Sequence, residues 1–200
     1  MKDNPTNNPY YITTEQRQMR NQHRSLVIWF TGLSGAGKTT LANAVEIKLF
    51  NQGVNTAILD GDNVRNGLNQ GLSFSPEDRR ENIRRVAEVS KLMIDSGLVV
   101  LAAFISPTAK SRNEVESIVG KNNFLEIYVS TSLEVCEKRD VKGLYKKART
   151  GEIKNMTGIS APYEQPLGAD LIINTEGETV ETSAKTILDF IASRLPLTNE

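Results

Sequence analysis

Apolar residues along the chain fall into five short runs, at Leu26–Phe30, Val54–Leu59, Leu98–Ile105, Phe124–Val129 and Ala169–Asn174. Short runs that are apolar at successive rather than alternate positions predict strands covered on both faces, as in a parallel sheet. Between them the period lengthens. Leu41, Ala44, Val45, Lys48 and Leu49 recur at three and four and predict a helix, which Asn51-Gln52-Gly53 closes. Ser75-Pro76-Glu77-Asp78 combines an N-cap, a proline at the first helical position and first-turn acids. The helix it opens runs to about Asp95-Ser96-Gly97, with Ile83, Val86, Ala87, Ser90, Met93 and Ile94 on its apolar stripe. Further helices are predicted from about Lys110 to Val119, over Ser132–Arg139 and over Val180–Leu195. Strands alternating with helices place the chain in the α/β class, as a doubly wound parallel sheet of about five strands flanked by helices.

Three stretches stand outside this alternation. Residues 1–24 are polar and form a peripheral N-terminal arm, in which Thr14-Glu15-Gln16-Arg17 opens a short helix and His23 is an exposed bystander. Residues 25–200 form the domain proper. Asn63–Ser75 reads as irregular, with glycines in and around it. Asp140–Arg149 is basic and partly helical, and it runs into Thr150–Pro166, rich in Gly, Thr, Pro and Tyr. That composition, before the last strand, predicts a lid over about residues 140–166.

Composition narrows the function classes. A chain of 200 residues fits one domain with a sizeable core. Lys+Arg and Asp+Glu are equal at 24 each, so the basic footprint of a nucleic-acid binder is missing and any local basic cluster points to a small anionic ligand. The single cysteine, Cys136, lies in a helical stretch and reads as a core residue of a cytoplasmic protein without disulfides. No apolar run approaches the roughly 18 residues of a membrane span, and the polar N-terminus does not resemble a signal peptide.

The chemistry is concentrated after the first run. Gly32-Leu33-Ser34-Gly35-Ala36-Gly37-Lys38-Thr39 satisfies G-x-x-x-x-G-K-[ST], between a predicted strand and a predicted helix. Such a turn aims backbone N–H groups and a helix N-terminus at one point and binds phosphate. Lys38 is then expected to reach the β- and γ-phosphates of ATP and Thr39 to hold Mg²⁺. Such a loop serves kinases, switches and motors alike, so it leaves the reaction open. The absence of a guanine-reading Asn-Lys-x-Asp weakens the switch reading.

Asp60-Gly61-Asp62 ends the second predicted strand, at the sheet edge where α/β proteins bind ligands. An acid there is a candidate metal partner or general base. Among the arginines of the long helix, Arg79 lies nearest the preceding loop and, with Asn82, is the candidate ligand contact; Arg80, Arg84 and Arg85 read as surface, paired with nearby acids.

The motifs together resemble the adenylylsulfate (APS) kinase family, within the P-loop kinase superfamily, from about Trp29 to Thr175. The resemblance rests on Trp29–Lys38, Asp60–Arg65, Phe74–Arg85, Phe104–Pro107, Lys142–Arg149, Thr157-Gly158-Ile159 and Pro162-Tyr163-Glu164. It implies a free-standing kinase that uses MgATP to phosphorylate the 3′-hydroxyl of adenosine 5′-phosphosulfate, in a homodimer serving sulfate activation. By the same resemblance the loop residues Gly32 to Thr39, with Thr40 and Arg149, bind ATP. Asp62 is the base, also near Mg²⁺, and Asn63, Arg65, Phe74, Arg79, Asn82, Ile105, Ser106, Lys142, Asn155 and Met156 hold the acceptor. The family's serine at the Ser106 position has been described as a phosphoserine intermediate, although in-line transfer needs only Lys38 and the metal. Three positions depart from the family pattern. Met156 stands where a second aromatic usually grips the adenine opposite Phe74, Ser73 replaces a glycine, and Thr108-Ala109 replace a pair beginning with tyrosine. Two alternatives stay open: the same chemistry on another nucleotide, such as a cytidine diphosphate derivative, and a non-catalytic nucleotide-binding regulator.

Overall fold

A computed structural model describes residues 10–196. Five strands, β1 (Val27–Thr31), β2 (Thr56–Asp60), β3 (Val99–Ala103), β4 (Phe124–Val129) and β5 (Leu171–Ile173), form one parallel sheet in the order β2-β3-β1-β4-β5. The helices are α1 (Thr14–Asn21), α2 (Lys38–Asn51), α3 (Gly61–Asn66), α4 (Pro76–Asp95), α5 (Ala109–Val119), α6 (Leu133–Arg139), α7 (Leu144–Arg149) and α8 (Val180–Ile191). No helix is long and apolar enough to cross a membrane among the described residues.

The continuous apolarity of the strands has its expected cause. Along β1, Ile28 and Phe30 join a core with Leu41, Val45 and Leu49 of α2 and Ile187 of α8. Val27 and Trp29 join a second core with Ile83 and Val86 of α4 and Val115 of α5. Successive side chains point to opposite faces, and both faces are covered. Leaving β1, the chain runs through α2 to the far edge at β2, returns to β3, and then crosses to β4 on the other side of β1. The carboxyl end of β1 is therefore the switch point of the sheet, where such folds open a crevice.

Three expectations are corrected. The stretch expected to be irregular begins with α3, because the Asp60 carboxylate caps that helix by accepting from the N–H groups of Asp62 (2.9 Å) and Asn63 (3.1 Å). The last helix stops at Ile191 rather than Leu195. Leu195 precedes a proline, which disfavours helical backbone, and its carbonyl instead accepts from Arg24 N at 2.8 Å. The described part of the arm is docked: α1 carries a capping box and reaches the end of α4 through Thr14 Oγ1 to Asp95 O (3.3 Å) and Asn21 Nδ2 to Gly97 O (3.0 Å). The arm's first nine positions lie outside the described residues.

His23 is buried rather than exposed. Its Nε2 accepts from Asn55 N at 3.0 Å, just before edge strand β2, and its Nδ1 donates to Arg24 O at 2.9 Å. The tautomer follows from these partners, one acceptor and one donor. We expect His23→Ala to lose about 0.5–1.5 kcal/mol, the net worth of its part-buried hydrogen bond from Asn55 N. Urea unfolding checks this; an unchanged midpoint would show that water replaces the imidazole.

Candidate active site

The loop after β1 is shaped by what presses on it. Gly32 has φ +150°, and a Cβ there would lie 2.6 Å from the Val129 carbonyl at the end of β4, so no side chain fits. Gly37 has φ +104° as the residue preceding α2, a left-handed conformation that glycine adopts without strain. Side chains occupy the loop's carbonyls. Tyr145 Oη donates to Ser34 O (2.8 Å), and Thr131 Oγ1 (3.0 Å) and Thr175 Oγ1 (3.1 Å) donate to Ala36 O. Arg139 Nη1 reaches Gly35 O (3.3 Å) and Thr175 Oγ1 (3.0 Å). With the carbonyls so engaged, the N–H groups of the first turn of α2, which helix geometry leaves unpaired, remain for an anion.

Lys38 is buried, and its ammonium donates to Gly32 O (3.0 Å) and Leu33 O (2.7 Å). Desolvation pulls its pKa down to about 8, and the nearby charge of Lys142 acts in the same direction, while Cys136 and Asp62 oppose it. Thr39 and Thr40 are exposed on the first turn of α2.

Across the crevice, α3 carries Asp62, whose exposed carboxylate pairs with Lys142 from the segment between α6 and α7. Asn63 stays with the cap, its Nδ2 on Asp60 Oδ2 at 2.6 Å. Arg65 donates to the carbonyls of Leu72 and Ser73 (3.2 Å each) and lies 4.3 Å over the Phe74 ring. Phe74 keeps 60% of its surface exposed. Arg79 donates to Phe74 O (2.9 Å), Thr157 Oγ1 (2.6 Å) and Asn155 O (2.5 Å). Desolvation, and for Arg79 the nearby charge of Arg65, pull the pKa values of both guanidiniums below the usual arginine range. Two partly desolvated guanidiniums beside an exposed aromatic ring make a receptor for an anionic group attached to a flat ring.

The other expected residues are placed as follows. Asn82 is buried and accepts from Asn69 Nδ2 on both its carbonyl (3.3 Å) and Oδ1 (3.0 Å). Ile105 and Ser106 form the turn after β3, with the Ser106 hydroxyl buried. Arg149 pairs with Glu137 of α6 at 2.5 Å rather than with the loop. Met156 is only 6% exposed and belongs to the core, so in this conformation it presents little surface to a ring. Arg80, Arg84 and Arg85 pair with Glu114, Glu81 and Glu88, as a surface reading requires. Sequence reasoning missed Arg139, Thr175 and Tyr145. Only the position of Arg139, at the edge of the basic stretch, pointed towards any of them.

A cavity of about 870 Å³ opens nearby, lined by Leu33, Tyr128, Leu133, Ile159 and Tyr163 among others. Neither Lys38 nor Asp62 nor Arg79 lines it, and charge rather than volume locates the site.

A parallel sheet of this order, with a phosphate-binding loop at its switch point and acids and arginines across the crevice, defines a P-loop kinase. The adenylylsulphate kinase family model matches residues 24–174. The chain is 56% identical over 183 residues to the adenylyl-sulfate kinase of Oceanobacillus iheyensis, covering 92% of each. It superposes on the Mycobacterium tuberculosis APS kinase in complex with AMPPNP and APS with a TM-score of 0.82 and 43% identity, covering 84% of this chain and 98% of that one. A hexameric APS kinase from Thiobacillus denitrificans matches with a TM-score of 0.64 and 28% identity over 86% of this chain and 30% of that longer one. The chain belongs to the adenylylsulphate kinase family, and it is an ATP-using kinase.

The burial of Lys38 sets a pH dependence. A bound phosphate favours the ammonium, so the pKa rises from about 8 on nucleotide binding. Below pH 8 the lysine is charged with or without nucleotide and affinity is level; above it, binding takes up a proton and affinity falls. Calorimetry at pH 8.5 in buffers of different ionisation enthalpy should show net proton uptake, absent in Lys38→Met. Uptake of equal size in both proteins would place the titrating group elsewhere.

Proposed function

We propose that this enzyme transfers the γ-phosphoryl group of ATP to the 3′-hydroxyl of adenosine 5′-phosphosulfate, giving 3′-phosphoadenylylsulfate. The observation that carries this reading is the Asp62–Lys142 pair, near enough to Lys38 for both charges to act on it, with Asp62 on the same short helix as Arg65 of the Arg65–Phe74–Arg79 receptor. In this reading the loop cradles the ATP phosphates and Lys38 bears on the transferring group. Arg65 and Arg79 hold the acceptor's phosphosulfate, and Phe74 covers its adenine. Asn82 and the Ile105–Ser106 backbone complete the pocket. Asp62, an acceptor when ionised, takes the 3′-hydroxyl proton, and Lys142 exchanges its contact with Asp62 for one with the ligand. Phosphoryl transfer of this kind rests on alignment and charge more than on covalent steps.

The residues also fit a magnesium ion. Mg²⁺ takes oxygen ligands and binds through one or two protein groups together with substrate phosphates, and Thr39 and Asp62 are exposed oxygen donors on either side of the crevice. Among the described residues no cluster of three or more His, Cys, Asp or Glu forms a cage of its own, which suits an ion carried in with ATP. When bound, it neutralises charge on the phosphates. We further read residues 140–166 as the lid and Arg149 as an ATP contact once the lid closes. We read the enzyme as cytoplasmic, consistent with its one buried cysteine, and as a homodimer, on the family resemblance.

An ADP-release assay with MgATP and a panel of APS, adenosine monophosphate and cytidine nucleotides tests the acceptor. Turnover with APS alone, giving a 3′-phosphorylated product, is expected; turnover with a cytidine nucleotide instead would keep the kinase and discard the acceptor. Asp62→Ala should lower kcat about 10²–10⁴-fold, the usual span of a general base, with a much smaller change in ATP affinity. A variant as fast as the parent would remove Asp62 from the base role.

A further inference from the structure

The turn that follows β3 is held in an unfavourable conformation by residues distant in sequence. Ser106 has φ +37°, a left-handed backbone that non-glycine residues rarely adopt and that the surroundings must enforce. Its carbonyl accepts from Arg112 Nη1 at 2.9 Å. Arg112 is buried, and its Nε lies 2.9 Å from Glu126 Oε1 on β4, as a charge contact rather than an aligned hydrogen bond.

The hydroxyls around this turn leave one consistent assignment of protons. Trp29 Nε1 donates to Ser106 Oγ (3.1 Å), so the Ser106 proton goes to Thr31 Oγ1 (2.8 Å). The Thr31 proton goes to Ile105 O (2.8 Å). Tyr163 Oη, 2.9 Å from Thr31 Oγ1, must therefore be the donor in that pair. Burial raises the pKa of Tyr163, which keeps its phenol protonated as this role requires. Its neighbour Glu164 grips the turn through its N–H on Pro107 O (2.8 Å) and the helix that follows it through its Oε2, which accepts from Ala109 N (2.7 Å). The segment that holds the turn also holds Arg79, through Asn155 O and Thr157 Oγ1.

We infer that Tyr163 and Glu164 are positioning residues for the acceptor nucleotide, acting through the Ile105–Ser106–Pro107 turn. They join that turn to the strand of lid that orients Arg79, so the two walls of the acceptor pocket are set by one segment. This rests on the reading that the turn and Arg79 line the acceptor pocket.

The test is steady-state kinetics of Tyr163→Phe, Glu164→Ala and Glu164→Gln with MgATP and APS, each substrate varied separately. Tyr163→Phe and Glu164→Ala should raise the acceptor KM about three- to tenfold, the range of one net hydrogen bond, with the ATP KM changed less than twofold. Glu164→Gln, which keeps an oxygen for Ala109 N, should recover most of the loss. Urea midpoints of the variants separate a general loss of stability, which would not select between the two substrates. An active parent whose variants leave both KM values unchanged, or move them equally, overturns the inference alone. A parent that does not turn over APS overturns the acceptor reading, and the inference with it.

Discussion

The structure depends on the contact between Gly32 and the Val129 carbonyl. Adjacent strands of a parallel sheet diverge only slightly at their ends, so a chain leaving central strand β1 must pass directly over its neighbour β4. A Cβ at Gly32 would meet that carbonyl at 2.6 Å, well inside any tolerable approach. The absence of a side chain lets the chain turn at once, which sets α2 over the switch point with its unpaired N–H groups facing the crevice. The neighbours of the turn follow from this. Thr131, just past β4, and Thr175, just past β5, reach the Ala36 carbonyl only because the sheet order brings those two strand ends beside the loop.

The same closeness buries a charge. Lys38 is surrounded by its own loop, and two carbonyls offset only part of its desolvation, as the fall of its pKa to about 8 records. A buried cation that is incompletely compensated favours whichever anion completes its shell, so affinity for phosphate is built in before any ligand contact is counted. The segment from Asp140 to α7 shares this arrangement. Tyr145 of α7 donates to Ser34 O, and Asp140 accepts from Tyr145 N and Lys146 N, fixing the start of that helix. Lys142 lies between these anchors and faces Asp62. This segment is thus coupled to the loop's backbone on one side and to Asp62 on the other.

Much of this was legible in the residues. The central strands β1 and β3 could be read because strands buried on both faces are apolar nearly throughout, and α4 because Ser75, Pro76 and the following acids specify a helix start; Ser75 Oγ does accept from Asp78 N at 3.1 Å. The phosphate loop could be read because its glycines answer to local geometry. What escaped depends on partners far away in sequence. α3 buries only Val64 and exists through the Asp60 cap, so the stretch from Asn63 read as irregular. His23 looked exposed because its partner, Asn55, opens a different strand. Arg139 and Thr175 meet through the sheet order, which no local pattern encodes. Met156, expected where an aromatic usually grips the adenine, has neighbours that make it part of the core.

Ser106 shows how hydrogen-bond accounting bears on mechanism. A serine that attacks phosphorus must lose its proton to a base and expose its oxygen to the phosphoryl group. Here the oxygen is 1% exposed as part of its residue, it accepts from an indole, and its proton rests on Thr31, whose own proton is held by a carbonyl. None of these partners is a base at neutral pH, and releasing the hydroxyl would undo the bonds that hold a left-handed backbone in place. Asp62, by contrast, is exposed on the crevice and has a cation as its partner. The arrangement favours direct transfer to the acceptor, with Ser106 serving through the shape it gives the turn rather than through its oxygen's nucleophilicity.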